Sequence, residues 1–309
     1  MRHFINLKDV PAKDLRKILS DAKNRKKNRK NLSSLEIDKG CPLKGKLLIQ
    51  MFEKSSLRTR LSFYLAIKQL GGSTLTLRPD ELHLSKGGES IEDTAKILSN
   101  FGNAFMLRTD DDKKLEEFKR YLTIPVINGL SPSSHPTQIL SDIFTVEEIK
   151  KKNISKLNIT WIGDSNNVLN SLIAASIKFS FKLNIGCPKK YQPRKTILKF
   201  IKINKNRITI YDDPKKAASK ADVIFSDKVI SMNDNVNKTK KLYHFKKFKI
   251  DEKLMSFAKK DCIFLHCLPR GSEVDEKIFS SKKSRVWQQA LNRVHVQKSI
   301  LLYSFGKLR

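Results

Sequence analysis

Acidic residues are scarce in this chain. Its 309 residues include 62 Lys and Arg against 31 Asp and Glu, a formal net charge of +31. Long apolar runs are missing too. None approaches the ~20 residues that a membrane helix needs. The opening MRHFINLKDVPAKDLRKIL has neither the apolar stretch nor the small-residue cleavage site of a signal peptide, and reads as a helix opened by Pro11. The four cysteines, Cys41, Cys187, Cys262 and Cys267, show no paired metal-ligand spacing. No metal or other cofactor is expected, and a reduced, cytoplasmic setting is the default. The Gly-rich signatures GxxxxGK[ST] and GxGxxG are absent from the strand–helix junctions, which disfavours a nucleotide or dinucleotide.

The excess of positive charge raises the possibility of nucleic acid as a partner. The cations, however, are spread along the chain and cluster only in NRKKNRK (24–30) and KKLYHFKKFK (240–249). Neither cluster carries a nucleic-acid-binding signature, and the first reads as the solvated end of a helix. A positive field also draws in small anionic substrates. At about 150 residues per domain the length predicts two domains.

Apolar runs alternate with helical patterns throughout. KGKLLIQMF, NAFMLRT and IPVINGL read as strands; 58–70, GESIEDTAKILSNFG and TQILSDIFTVEEIKKK read as helices. A second set begins at LNITWIG (157–163) with the helix DSNNVLNSLIAASIKFSF, then KLNIGCP, a helix near 194–205, RITIYDD, a short helix, ADVIFSD and DCIFLHCLP (261–269). NRVHVQKSILLYSF is a final helix. Strands separated by helices imply an α/β fold of two Rossmann-like parallel-sheet domains, with binding groups at the carboxyl ends of the strands. The expected boundaries are 1–150, 151–285, and 286–309 for a C-terminal helix packing back on the first domain.

One junction carries unusual chemistry. After the apolar run ending at Phe52 comes Glu53-Lys54-Ser55-Ser56-Leu57-Arg58-Thr59-Arg60, and then apolar residues return at helical spacing. The free N–H groups of a helix N-terminus, with a partial charge near +0.5, favour an anion. Ser56 and Thr59 add hydroxyl donors, and Arg58 and Arg60 offer guanidinium forks that match phosphate oxygens.

FEKSSLRTRLSF resembles the phosphate-binding signature of the aspartate and ornithine carbamoyltransferases, Ser-Thr-Arg-Thr-Arg, with Leu57 in place of the first Thr. The resemblance continues in order along the chain, over residues 52–63, 89–108, 135–142, 163–172, 227–232, 264–270 and 290–299. It implies carbamoyl phosphate as one substrate, held at its phosphate by Ser56, Leu57 (through its backbone N–H), Arg58, Thr59 and Arg108. His135 and Gln138 of HPTQILSD, Cys267 and Leu268 of FLHCLPR, and Arg293 of ALNRVHVQKS then hold the carbamoyl group. Arg58, His135, Cys267 and Arg293 are the expected catalytic residues. A nucleophilic role for Cys267 is unnecessary because carbamoyl phosphate is already activated.

FLHCLPR matches the ornithine branch; the aspartate enzymes read His-Pro-Leu-Pro at this place. Asn167 of WIGDSNNVLNSL, with Asp227, Ser231 and Met232 of SDKVISMND, is then expected to hold L-ornithine, Asp227 pairing with its α-amino group. Val229 stands where that branch usually has Trp. The resemblance implies carbamoyl transfer to the δ-amine, giving L-citrulline and phosphate as a step of arginine biosynthesis. It also implies a homo-oligomer, a trimer or a multiple of one, in which His83 or Lys86 enters the neighbouring subunit's site. The alternatives are another acceptor (acetylornithine, putrescine or aspartate), or a basic nucleic-acid-binding protein that has lost catalysis.

Overall fold

The computed structural model describes residues 2–78, 88–230 and 237–308. They form two compact units, one of residues 1–144 and 290–309 and the other of residues 145–289. In the first unit, α1 (Ala12–Asn28) precedes β1 (Leu47–Phe52), α2 (Leu57–Gln69), β2 (Ser73–Leu77), α3 (Ile91–Phe101), β3 (Ala104–Arg108), α4 (Asp112–Tyr121) and β4 (Val126–Leu130). Helix α5 (Pro136–Lys150) runs across the boundary. The second unit continues with β5 (Asn158–Ile162), α6 (Asn167–Lys178), β6 (Lys182–Gly186), α7 (Lys195–Ile203), β7 (Ile208–Tyr211), α8 (Pro214–Ala218) and β8 (Val223–Asp227). It ends with α9 (Lys238–Phe245), α10 (Glu252–Met255), β9 (Ile263–Cys267) and α11 (Glu276–Phe279), and α12 (Val286–Ser304) closes the chain.

Each unit is built on one parallel sheet, ordered β2-β1-β3-β4 in the first and β7-β6-β5-β8-β9 in the second. Central strands of such sheets are covered on both faces and read as unbroken apolar runs. Ala104–Leu107 and Val223–Phe225 are accordingly buried throughout. In the first unit Phe105 and Phe118 pack with ring centroids 5.0 Å apart, pinning α4 to the sheet. β2 and α4 have no counterpart in the sequence reading. STLTL is a short edge strand with exposed and half-buried positions, so it lacks the continuous apolar run by which the inner strands are recognised.

Strand order decides where ligands bind. In both sheets the chain winds one way from the first strand and then the other, leaving a crevice at the carboxyl ends of the two strands flanking the reversal. That switch lies between β1 and β3 in the first unit and between β5 and β8 in the second. Parallel register then fixes the neighbours. Phe52 pairs with Arg108, so the junction after β1 starts beside that arginine. On the other sheet Asp227 pairs with Cys267. At the turn after β5, Gly163 adopts φ +148°, and a Cβ there would lie 3.3 Å from Ser226 Oγ, so glycine suits both backbone and space.

Candidate functional site

In the first unit the phosphate turn is a helix N-terminus. Ser56 is the N-cap of α2, in extended conformation, and its Oγ accepts from the Thr59 N–H at 3.3 Å. Leu57 and Arg58 open the helix. Leu57 is 72% exposed, so its place in the turn is a backbone one. Glu53 accepts from Lys114 and the Thr109 hydroxyl, while Lys54 pairs with Asp110 at 3.2 Å. These two charges anchor the turn to the segment after β3. Arg60 lies on the exposed side of α2.

Behind the turn lies a buried polar chain. Arg293 on α12 donates through Nη2 to Thr59 Oγ1 at 2.8 Å and through Nη1 to Gln138 Oε1. Gln138 Nε2 donates to Asp142 Oδ1 at 2.8 Å, one turn along α5. Thr59, Gln138, Asp142 and Arg293 are all buried. His135, immediately before α5, is buried as well, and its pKa is lowered well below the usual imidazole value. Burial is the main cause, reinforced by the guanidinium charges of Arg293, Arg108 and Arg58. The structure therefore brings Arg58, Thr59, Arg108, His135, Gln138 and Arg293 together with a neutral imidazole among three permanent cations. Such a group takes a compact anion through the cations while the imidazole donates an uncharged N–H.

In the second unit the corresponding helix, α6, is capped by Asn166. Its Oδ1 accepts from the Val168 and Leu169 N–H groups at 3.0 and 3.1 Å, and its Nδ2 donates to Asp227 Oδ2 at 2.7 Å. Asp227 ends β8, and burial pushes its pKa up to about 6. The positive influence of His266, the Lys228 N–H and the Asn166 amide hold the rise in check. His266 Nε2 lies 3.0 Å from Glu273 Oε1, which also accepts from the Gly271 N–H at 2.5 Å. Burial alone would raise the pKa of Glu273; those hydrogen bonds outweigh it and hold it below the ordinary value. Glu273 Oε2 accepts from the Val229 N–H at 3.4 Å, and the Val229 side chain sits in the apolar core of the unit. An aliphatic residue thus fills this position.

Asn167 is the first residue of α6. Cys267 ends β9, and the Leu268 N–H donates to the His266 carbonyl at 3.1 Å. Cys267 and Leu268 thus belong to the second unit, and the other residues expected to hold carbamoyl phosphate belong to the first. Ser231, Met232, His83 and Lys86 lie outside the described residues. Asp142, Asn166, and Glu273 with its partner His266 escaped the sequence reading. Asp142 was findable, because it stands four residues after Gln138 on a helix. Asn166 was obscured by Asn167 beside it, and Glu273 stands in no motif, although two of its partners, Gly271 and His266, lie two and seven residues before it.

No group of three or more His, Cys, Asp or Glu among the described residues is arranged to hold a metal ion. The family described as aspartate/ornithine carbamoyltransferase matches twice, with its carbamoyl-P binding domain at residues 2–148 and its Asp/Orn binding domain at residues 155–304. An ornithine carbamoyltransferase of Rhizorhabdus wittichii is 40% identical, covering 99% of both chains. The structure of an anabolic ornithine carbamoyltransferase from Campylobacter jejuni superposes with a TM-score of 0.89 at 37% identity, covering 99% of this chain and 100% of that one. One from Pyrococcus furiosus gives 0.89 at 36% identity, covering 99% and 97%. With both domain matches in order, relatives at this identity along the full length and two parallel sheets bearing these strand-end groups, the chain belongs to the aspartate/ornithine carbamoyltransferase family.

Proposed function

We propose that this protein transfers the carbamoyl group of carbamoyl phosphate to the δ-amine of L-ornithine, giving L-citrulline and phosphate. The observation that carries this reading is the buried imidazole of His135 among Arg58, Arg108 and Arg293, beside the N-terminus of α2. The names of the relatives, ornithine carbamoyltransferases throughout, supply the acceptor.

In this mechanism the phosphate of the donor lies on Ser56, the Leu57 N–H, Arg58, Thr59 and Arg108. His135 and Arg293 donate to the carbamoyl oxygen, while Gln138 and the main chain at Cys267 and Leu268 accept from its NH2. The α-amino group of ornithine pairs with Asp227, and Asn167, Ser231 and Met232 complete its site. The neutral δ-amine attacks the carbonyl carbon, and negative charge grows on the oxygen that already faces donors. The bond from that carbon to the phosphate oxygen then breaks. The attacking nitrogen gives up one proton to the departing phosphate, which leaves as hydrogen phosphate onto the cations that held it. His135 is suited to its part because a neutral imidazole gives a hydrogen bond without entering a proton equilibrium near neutral pH. Positioning and preorganised charge supply the rate.

Association of copies is part of the proposal, as a trimer or a multiple of one. Leu57, Leu61 and Tyr64 are exposed at helical spacing on α2, and Leu75 is exposed on the edge strand β2; a second copy would cover such a surface. The proposed setting is arginine biosynthesis in the cytoplasm. The test is citrulline formation by the wild type and by Arg58→Ala. The wild type is expected to be active on ornithine, with a large loss in the variant. Equal rates would remove the phosphate turn from the mechanism, and activity on putrescine in place of ornithine would overturn the acceptor.

A further inference from the structure

We propose that Asp142 is a positioning residue: through the hydrogen-bond chain Asp142–Gln138–Arg293–Thr59 it holds the Arg293 guanidinium where its donation to Thr59 leaves the hydroxyl proton facing a phosphate dianion. This rests on reading the first unit's cradle as the carbamoyl phosphate site.

The direction follows from what each group can do. Asp142 Oδ1 accepts from the NH2 end of Gln138 at 2.8 Å, which turns the Gln138 carbonyl the other way. That carbonyl meets Arg293 Nη1. A guanidinium only donates, so its other nitrogen, Nη2, donates to Thr59 Oγ1 at 2.8 Å. A hydroxyl has one proton and two lone pairs. With a lone pair committed to Arg293, the proton remains for an acceptor at the N-terminus of α2.

Were the Gln138 amide reversed, its NH2 would face the guanidinium and its carbonyl would face the carboxylate, two like-to-like contacts among groups that are all at least 98% buried. Asp142 and Gln138 share helix α5 at i and i+4. The carboxamide is thus fixed within one rigid element and offers Arg293, which arrives from α12, an acceptor in a defined place. Asp142 touches neither end of the reaction and acts through Gln138.

The probe is inorganic phosphate, titrated calorimetrically into the wild type, Asp142→Asn, Thr59→Val and the double variant, with thermal melts of each. Asp142→Asn keeps the shape but lets the amide turn over, and it is expected to weaken phosphate about tenfold, the loss of one well-made hydrogen bond to a charged group. The double variant should bind no more weakly than Thr59→Val alone, because Asp142 acts on phosphate only through the placing of the Thr59 hydroxyl. In turnover the KM for carbamoyl phosphate should rise and that for ornithine stay level. Should Asp142→Asn melt below the assay temperature, Gln138→Met cuts the same chain. Inorganic phosphate has no carbamoyl NH2 for Gln138 to accept from, so any loss with this probe still reads the relay. Unchanged phosphate affinity in both Asp142→Asn and Gln138→Met, additive losses with Thr59→Val, or a wild type that does not bind phosphate would each overturn the relay. A wild type that binds phosphate, responds to Asp142→Asn and makes no citrulline would sink the proposed function and leave the relay standing.

Discussion

The two units solve the same topological problem with opposite charge. In each, the first strand of the sheet runs into a helix whose N-cap is a small polar residue, Ser56 before α2 and Asn166 before α6. In each, the strand across the switch point ends in a charged residue, Arg108 on β3 and Asp227 on β8. The first arrangement is cationic and suits a dianion, whereas the second sets a carboxylate where an ammonium group can pair. Fold supplies the address and the strand-end side chain supplies the sign of the ligand. Burial acts on both in the same way, disfavouring charge. It keeps His135 neutral, and it drags Asp227 up to about 6.

The largest effect is expected from the cationic side. Arg293→Ala removes a charged donor and leaves Gln138 and Thr59 without the partner that holds them. Loss of kcat/KM should be roughly 10³-fold, the upper range for one preorganised donor. On the acidic side, Asp227→Ala should raise the KM for ornithine by about 10²-fold, the loss of a charge-assisted pair, with the KM for carbamoyl phosphate level. Equal damage to both substrates in initial-rate kinetics would break the division of labour between the units.

Asp227 also carries a stability signature opposite to that of an ordinary surface carboxylate. Its folded pKa lies above the unfolded value of 3.8. The folded state therefore prefers the protonated form, and the stability this adds is present below pH 3.8 and lost as pH rises through about 6. For this half-buried group the cost at neutral pH is on the order of 2 kcal/mol after allowance for solvent screening. Asp227→Asn should accordingly melt higher than the wild type at pH 8 and show no such gain at pH 4. A gain of the same size at both pH values would mean that the carboxylate is not the source.

The same titration should be visible in binding. Norvaline has the α-amino acid end of ornithine without the δ-amine, so its affinity in the presence of phosphate reports Asp227 alone. It should weaken about tenfold per pH unit below about 6, as the carboxylate is protonated. Inorganic phosphate, added by itself, meets guanidiniums that stay charged and an imidazole that stays neutral. No step assignable to His135 should appear in its affinity between pH 8 and 6. A step near 6 that vanished in a His135→Gln variant would overturn the neutral histidine.

Much of this contrast was legible in the sequence, and the parts that were not share a cause. Ser56, Arg58, Thr59, His135, Gln138 and Asp227 stand at junctions between apolar runs and helical patterns, where hydrophobic period and polar punctuation coincide. The inner strands announce themselves as nearly continuous apolar runs, interrupted only by single polar residues such as Gln50, Thr160 and Asn184. β2 does not, because an edge strand is only half covered. Asp142 sits within residues 136–146, a stretch of α5 that is buried throughout, and a polar residue in a buried stretch of helix shows its meaning only once its partner is known. Glu273 joins His266 and Gly271, from its own segment, to Val229, 44 residues away, a pairing set by the β8–β9 register and the loops beyond it. The exposure of Leu57 follows from its facing solvent at the first turn of α2.

The smallest effects sharpen the comparison most, because they separate the cap from the ligand. Ser56→Ala removes one acceptor at the start of α2, and Asn166→Ala removes two hydrogen bonds at the start of α6. Each should cost about 1 kcal/mol of stability, the usual worth of an N-cap. Ser56→Gly should cost only a few tenths of that in melting experiments, since glycine is tolerated at the cap. If the Ser56 hydroxyl serves phosphate as well as the helix, the alanine and glycine variants will differ in stability and yet lose phosphate affinity equally. On the other unit the two roles use different atoms: Oδ1 of Asn166 caps the helix and Nδ2 holds Asp227. Asn166→Asp keeps the cap and takes away the donor, setting a second carboxylate against Asp227. It should leave the melting midpoint near that of the wild type at low pH and move the norvaline breakpoint upward from about 6. A breakpoint that stays in place would show that Asn166 does not control Asp227, and the acidic site would then owe its setting to burial alone.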